Sequence, residues 1–234
     1  MTTRLLTRLI ILAAGPLLLV PMAVPANAAS HTMLPANKQE RLSVEKHLNS
    51  LGLPVGKVNG TYDAESRKGF CAWRELTGRH ASTKPLTSKD VTAILATTKT
   101  DMVPTDNHVT GLNVNKTCQV LVWVTDPKDG PRKIKGVFKV SSGMSGHTTP
   151  SGNFHITRQL SGWHESTKYA GAMMYRPKYF LGGIALHGSY TDSLVLPYPA
   201  SHGCVRMLHR DVDKLWAAHV NPGTPVRVYG TWRG

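Results

Sequence analysis

Ser201-His202-Gly203-Cys204-Val205-Arg206 is the most informative stretch of this chain of 234 residues. Seventeen residues upstream of the cysteine, His187 ends a short apolar run and is followed by Gly188. A thiol attacks as the thiolate, so its ordinary pKa near ~8.5 has to be lowered by a nearby cation or a base. The pattern therefore predicts a cysteine nucleophile with a histidine base.

The alternatives for Cys204 are half of a disulfide, a buried structural thiol and a zinc ligand. A zinc site would draw on His187, His202, Cys204 and His209. Structural zinc sites usually contain paired short spacings such as Cys-x-x-Cys, and zinc proteases carry a His-Glu-x-x-His helix. The sequence has neither, so we expect no metal and no cofactor.

The N-terminus has the pattern of a signal peptide over residues 1–28. Arg4 and Arg8 come before an apolar run that ends near Val24, and Ala26 and Ala28 hold the small-residue positions of a cleavage site. A membrane anchor is the alternative, because the run is near the shortest length that spans a bilayer. Two prolines in the run and the Ala-x-Ala ending favour cleavage after Ala28. We expect a secreted, cell-wall protein without a stable membrane anchor.

The chain is strongly basic, with a formal net charge of +14 that becomes +12 without Arg4 and Arg8. This balance favours nucleic acid, anionic lipid or an anionic cell wall as partner. The sequence contains no nucleic-acid-binding motif, and its lysines and arginines are scattered. Because an exported protein meets the wall first, we expect anionic wall polymers and no nucleic acid.

Three cysteines are present, Cys71, Cys118 and Cys204. In an oxidising compartment, an odd count leaves one thiol unpaired within the chain. If Cys204 is the nucleophile, Cys71 and Cys118 can form a disulfide that stabilises the fold by on the order of 3–4 kcal/mol. The alternative is that either one is a buried free thiol.

Two regions with different periodicity follow a predicted flexible lead at 29–37. Helical spacing predicts three helices at Gln39–Leu51, Ala64–Leu76 and Val91–Ala96, the last after a cap at Thr87. Residues 98–111 are a predicted linker. Beyond it, strands are predicted at Cys118–Val124, Ile134–Ser141, Phe154–Arg158, Ile184–His187 and Pro222–Tyr229, with one helix at Leu208–His219. The fold class is therefore α+β with two domains, a three-helix domain at 38–97 and a mainly β sandwich or barrel at 112–230.

The helical region resembles the small three-helix peptidoglycan-binding domain. The resemblance rests on Leu48-x-x-Leu51-Gly52, on Val55-Gly56-Lys57-Val58-Asn59-Gly60-Thr61-Tyr62 and on the helix with Phe70. The family usually has an acidic residue and a Phe-Gly step where this chain has Asn59 and Tyr62-Asp63. The resemblance implies glycan binding, and the alternative is a helical spacer packed on the second domain.

The second region resembles the L,D-transpeptidase catalytic domain, the YkuD-type fold. The resemblance rests on Ser142-Gly143-x-x-Gly146-x-Thr148-Thr149-Pro150-Ser151-Gly152-x-Phe154, Gly183-Ile184-Ala185-Leu186-His187-Gly188 and Ser201–Arg206. It implies an enzyme that forms 3→3 cross-links in peptidoglycan. Such an enzyme takes a tetrapeptide donor, releases its terminal D-Ala and transfers the acyl group to the side-chain amine of a diamino acid. A covalent carbapenem adduct is also expected.

The resemblance assigns roles to individual residues. Cys204 is the expected nucleophile, His187 its base, and the carbonyl of Gly188 orients the imidazole. The amides of Gly203 and Cys204 are the natural pair of oxyanion donors. His202 is the rival base, because it lies two residues from Cys204, and it otherwise shapes the site.

Three further residues complete the expected substrate site. Ser201 belongs to it through the motif. Arg206 either holds substrate carboxylates or braces the loop. Tyr175 either belongs to a substrate-covering loop or packs internally. Two other functions stay open: an L,D-carboxypeptidase, with water as acceptor, and a non-catalytic wall-binding protein.

Overall fold

The computed structural model describes residues 37–127 and 130–233. The predicted signal peptide, with its cleavage after Ala28, lies outside the described residues, as does the predicted lead except for Asn37. Within the described ranges, no helix is long and apolar enough to cross a membrane. The described α-helices are α1 Lys38–Ser50, α2 Ala64–Leu76, α3 Ser88–Leu95 and α4 His209–Ala217.

The helices begin where short polar side chains can bond to free backbone amides. Asn37 and Glu40 form a capping box at α1, and Thr87 and Asp90 form the same arrangement at α3. Asp63 accepts bonds from two amides at the start of α2. The predicted bounds of α2 are confirmed at both ends, and those of the other three helices to within three residues.

In the part of the chain that the structure describes, ten strands form one strongly curved sheet. Their order is β4-β10-β1-β2-β3-β9-β8-β7-β5, and β6 pairs with β7. The strands are β1 Gly111–Asn115, β2 Val120–Thr125, β3 Lys133–Ser141, β4 Gly152–His155, β5 Arg158–Gln159, β6 Trp163–Glu165, β7 Met173–Leu181, β8 Ile184–Gly188, β9 Val205–Met207 and β10 Pro225–Tyr229. The mainly β architecture is as predicted.

Strand β2 separates two hydrophobic cores. Val120, Val122 and Val124 point into a core that they share with α1, α2 and α3. Leu121 points the other way, into a core that contains Val212 and Leu215 of α4 and side chains from several strands. Because successive side chains of a strand point to opposite faces, a strand buried on both faces has a continuous apolar sequence.

The three-helix region is attached to the sheet through α2. Cys71 and Cys118 form a disulfide, as predicted, with their Cα atoms 5.3 Å apart. Glu65 forms an ion pair of 2.6 Å with Lys139 of β3. Lys68 is 1% exposed, and its Nζ donates to the carbonyl of Val140 at 3.0 Å and to that of Leu196 at 3.1 Å. The helices and the sheet therefore share a core and belong to one compact unit.

One strand prediction is wrong, and the structure also decides the local conformation at Tyr175. The single strand expected at Phe154–Arg158 is divided, because β4 pairs with β10 whereas β5 pairs with β7. Tyr175, for which a substrate-covering loop was one of two alternatives, belongs to the nine-residue strand β7. Pro177 and the positive φ of Arg176 lie at an irregularity in the pairing of this strand with β8, and both features hide the strand from sequence analysis.

Candidate active site

The parallel pairing of β8 with β9 brings the predicted nucleophile and base together. Leu186 pairs with Val205 and His187 with Arg206. Cys204 immediately precedes β9, and the Ala185 N–H donates to its Sγ at 3.4 Å. The histidine and the cysteine, seventeen residues apart in sequence, therefore lie close together, because the register places the end of β8 beside the start of β9.

The imidazole of His187 is fixed by a backbone carbonyl. Its Nδ1 lies 2.8 Å from the Gly188 oxygen, and the residue is 6% exposed. A carbonyl oxygen only accepts, so Nδ1 carries the proton of the neutral ring and Nε2 keeps its lone pair. A side chain at Gly188 would collide with His209, at 2.4 Å from an added Cβ.

Both side chains line a cavity of about 160 Å3. Two larger cavities lie elsewhere in the described structure, and neither is lined by Cys204 or His187. The lining residues are Ser166, Tyr169, Gly171, Ala172, Met173, Met174, His187, Ser189, Tyr190, Leu194, Ser201, His202, Cys204 and Arg206. The cavity thus contains five of the eight predicted site residues.

The electrostatics of the pair differ from the sequence prediction. Burial raises the pKa of the Cys204 thiol, and the Ala185 N–H and the Arg206 charge oppose this rise only in part. Burial lowers the pKa of His187 to about 4; the bond to Gly188 opposes the shift and the Arg206 charge adds to it. At neutral pH the pair is therefore a neutral thiol beside a neutral imidazole. The predicted lowering of the thiol pKa is wrong for the free protein, because desolvation outweighs the nearby charge.

The turn before Cys204 is held by Ser201. Its hydroxyl donates to the carbonyl of Cys204 and accepts from the Gly203 N–H at 3.1 Å. The predicted oxyanion donor at Gly203 is therefore engaged within the protein and would have to exchange partners to bind an oxyanion. Gly203 has a φ of +117°, in the region that favours glycine, so the turn itself requires this residue.

A neighbouring loop supports this turn, and sequence analysis gave its residues no role. Thr149 donates from its hydroxyl to the Gly203 carbonyl at 2.8 Å and accepts from the Gly143 N–H at 2.9 Å. The fully buried Gln119 donates to Ser142 Oγ and accepts from the Ser142 N–H. The Ser-Gly-x-x-Gly-x-Thr-Thr-Pro motif contains Ser142, Gly143 and Thr149, but no sequence pattern pointed to Gln119.

An aromatic stack covers one side of the cavity. His202 is exposed, and its ring lies 4.7 Å from that of Tyr169 and 4.9 Å from that of His147. Tyr169 lies between β6 and β7 and had no sequence signal. On another side of the cavity, Arg206 lines the wall, and its guanidinium lies 3.5 Å from the Leu194 carbonyl. Arg206 thus contacts the 189–200 connection and also faces the site.

Tyr175 is not among the residues that line the cavity. Its hydroxyl donates to Asp213 of α4 at 3.0 Å, and its ring packs against Trp163 and His209. Of the two predicted roles, the structure supports internal packing and not a lid. The reason is strand pairing, since Tyr175 lies between Trp163 of β6 and Gly188 of β8. Among the described residues, no group of three or more His, Cys, Asp and Glu side chains could hold a metal ion.

Comparison with known proteins agrees with this geometry. Residues 110–228 match the L,D-transpeptidase catalytic domain family, YkuD. The match spans the β-sheet, α4, His187 and Cys204, and the chain belongs to this family. No curated protein matches the chain significantly.

Solved structures of several L,D-transpeptidases are similar to this chain. The chain is similar to residues 123–326 of an L,D-transpeptidase from Xylanimonas cellulosilytica, with 29% identity and a TM-score of 0.55 over 85% of this chain and 97% of that chain. An L,D-transpeptidase from Stackebrandtia nassauensis has 23% identity and a TM-score of 0.49, over 87% and 97% of the two chains. L,D-transpeptidase 3 from Mycobacterium tuberculosis, solved with a faropenem-derived adduct, has 16% identity and a TM-score of 0.40, over 50% and 58%.

Proposed function

We propose that this protein is an exported L,D-transpeptidase that forms 3→3 peptidoglycan cross-links through an acyl-enzyme on Cys204. The observation that carries the proposal is the geometry of the site. Cys204 and a tautomerically fixed His187 line one cavity within a fold of the L,D-transpeptidase family.

In the first half-reaction, Sγ of Cys204 attacks the carbonyl carbon between the third residue of the donor and its terminal D-Ala. The thiol proton passes to Nε2 of His187, and a tetrahedral oxyanion forms. When the C–N bond breaks, His187 gives this proton to the departing amine of D-Ala. The products are free D-Ala and a thioester on Cys204.

In the second half-reaction, the side-chain amine of the acceptor attacks the thioester carbon. His187 takes a proton from this amine, and the C–S bond breaks. The proton then returns to the Cys204 sulfur, so the resting neutral pair is restored. The fixed Nδ1–H bond to Gly188 supports this cycle, because it leaves Nε2 as the only ring nitrogen that exchanges protons.

Export and wall association are parts of the same proposal. The basic n-region, apolar run and Ala-x-Ala sequence at the N-terminus support export, and so does the Cys71–Cys118 disulfide, since such bonds persist in oxidising compartments. The net positive charge supports contact with anionic wall polymers, and the three-helix region supports contact with glycan. N-terminal sequencing of the secreted protein should begin at Ala29, and a retained leader would contradict cleavage.

The enzymatic test is product analysis with a tetrapeptide donor and an acceptor that offers a side-chain amine. We expect a 3→3 linked dimer and one equivalent of D-Ala by mass spectrometry, with neither product from Cys204→Ala. Tripeptide without dimer, at saturating acceptor, would instead identify an L,D-carboxypeptidase. Absence of D-Ala release from the correctly folded wild type would contradict catalysis altogether.

A further inference from the structure

Two exposed aromatic side chains stand beside the active-site cavity. Trp163 of β6 is 45% exposed and Tyr190, just after β8, is 74% exposed. Their ring centroids lie 6.5 Å apart. Tyr190 also lines the cavity that contains Cys204. We call this pair the aromatic platform, and it is continuous with the wall of the site.

The platform has a rigid base. The Trp163 ring packs on Tyr175 at 5.1 Å and edge-on against His209 at 5.4 Å. Tyr175 is anchored through Asp213, and Nε2 of His209 lies 2.6 Å from the carbonyl of Ser189. Anchored inner rings beneath the exposed Trp163 and Tyr190 give a preorganised apolar surface, which costs little ordering entropy when a ligand binds.

The polar ends of the two platform residues are free. The partly buried Tyr175 and Trp216 donate their O–H and N–H groups to Asp213 and to the Arg176 carbonyl, respectively. In contrast, no hydrogen bond of the Trp163 indole N–H or the Tyr190 hydroxyl occurs within the described residues. An exposed ring with a free donor suits a ligand that is apolar on one face and hydroxylated at its edge.

We propose that the aromatic platform binds a sugar ring of the glycan strand to which the donor peptide is attached. The axial C–H bonds of a pyranose present a weakly positive apolar face, which packs on the negative face of an aromatic ring. Its hydroxyls can accept from the two free donors. This proposal rests on the proposed function, which places the scissile carbonyl of the donor peptide at Cys204. The glycan end of the same substrate would then lie on the aromatic platform.

The test compares two ligands, a bare tetrapeptide and the same tetrapeptide carrying its disaccharide. Dissociation constants are measured by calorimetry in the Cys204→Ala background, so that no chemistry is required. The readout is the ratio of the two constants. We expect the disaccharide to improve binding by about tenfold, and Trp163→Ala or Tyr190→Ala each to remove about fivefold of that gain. Tyr198→Ala, which removes a similarly exposed aromatic side chain (46%) outside the platform, should keep the wild-type ratio.

Several outcomes would overturn the sugar assignment. An unchanged ratio in the well-folded Tyr190→Ala variant would do so. If the platform variants weakened the binding of both ligands equally, the platform would bind the peptide. If sedimentation showed a dimer of the wild type that Tyr190→Ala abolishes, the platform would bind a second copy of the chain. Failure of the proposed function would give a different result. Wild type would then make no cross-link, while the ratio of the two dissociation constants in the Cys204→Ala background would still change in the platform variants.

Discussion

The proposed chemistry depends on how burial sets the charge of two side chains. Cys204 and His187 lie close to the positive Arg206, which favours the thiolate and disfavours the imidazolium. Desolvation is the larger effect on both groups, and it favours their neutral forms. In the proposed mechanism, His187 therefore removes the thiol proton during attack and does not hold a preformed ion pair.

The pH dependence of acylation follows from these pKa directions. With His187 near 4 and Cys204 above its ordinary value, the reactive neutral pair is the dominant state across the neutral range. The second-order rate of imipenem acylation, followed by intact mass, should change less than about twofold between about pH 6 and pH 8. A rate that rises about tenfold per pH unit would show attack by pre-ionised thiolate and contradict this assignment.

Substitution of the two candidate bases should separate their roles. His187→Gln removes the proton acceptor, and we expect imipenem acylation to slow by about 10²–10⁴-fold. His202→Ala removes a ring that stacks on Tyr169 and His147, so the loss should stay within about tenfold. Circular dichroism checks that both variants fold. If His202→Ala were the slower variant, the base role would belong to His202.

At the scale of elements, α2 connects the helical region to the frame of the site. Lys68 reaches from α2 to the carbonyl of Val140, which precedes the Ser142–Gly143 loop, and to that of Leu196 in the β8–β9 connection. The same connection supplies Tyr190 and Leu194 to the cavity. Packing of α2 therefore fixes both segments that flank the site.

Stability should depend on the charge of Lys68. Burial lowers its pKa to about 7, with Glu65 opposing and Lys139 adding to the shift. Between pH 7 and the ordinary pKa of lysine, Lys68 is protonated in the unfolded chain but largely neutral in the folded protein. The contribution of Lys68 to stability is therefore present at high pH and is lost as the pH falls toward 7. The free energy of unfolding of wild type should rise by on the order of 2–4 kcal/mol relative to Lys68→Met between about pH 7 and pH 10.

Urea unfolding of wild type and of Lys68→Met at each pH gives the difference between their free energies of unfolding. The effects of other titrating groups cancel in this difference. Lys46→Met, on the exposed face of α1, is the matched control and should track wild type. If the free energies of unfolding of wild type and Lys68→Met changed with pH in parallel, a shifted pKa of Lys68 would be contradicted.

At the scale of the whole molecule, the disulfide lies within the core that the helices share with one face of the sheet. Cys71 lies in α2 and Cys118 just before β2, and they are 47 residues apart in sequence. On the same side of the sheet, Glu75 of α2 accepts from Asn115 of β1 and from Tyr229 of β10. The helical region is therefore held to the sheet by covalent and polar contacts in addition to a shared core.

Removing the disulfide should destabilise the whole fold. Cys71→Ser/Cys118→Ser is expected to lose about 3 kcal/mol of unfolding free energy, because the unfolded chain regains the entropy of a long open loop. Chemical denaturation checks the value, and reduction of wild type should produce a similar loss. Cys204→Ser is the control and should keep wild-type stability; a loss equal to that of the double variant would contradict the pairing.

Some features could be read from the sequence because their causes are local. The helix α2 has its apolar face within a few turns, so its bounds followed from the spacing of its apolar residues. The Cys71–Cys118 pair followed from counting thiols once Cys204 had a role. The motif at 201–206 predicted Cys204 as the candidate nucleophile, because several groups suited to this chemistry fall in six consecutive positions.

Tertiary structure alone decided how those residues meet. The parallel register of β8 and β9 places His187 near Cys204, and no local pattern specifies it. Strand β7 forms despite Pro177, because pairing with β5, β6 and β8 outweighs the local preference. The neutral state of Cys204 and the exposure of Trp163 and Tyr190 likewise depend on which surfaces other segments bury. The sequence determined the reactive groups, whereas long-range packing determined their charge, orientation and access.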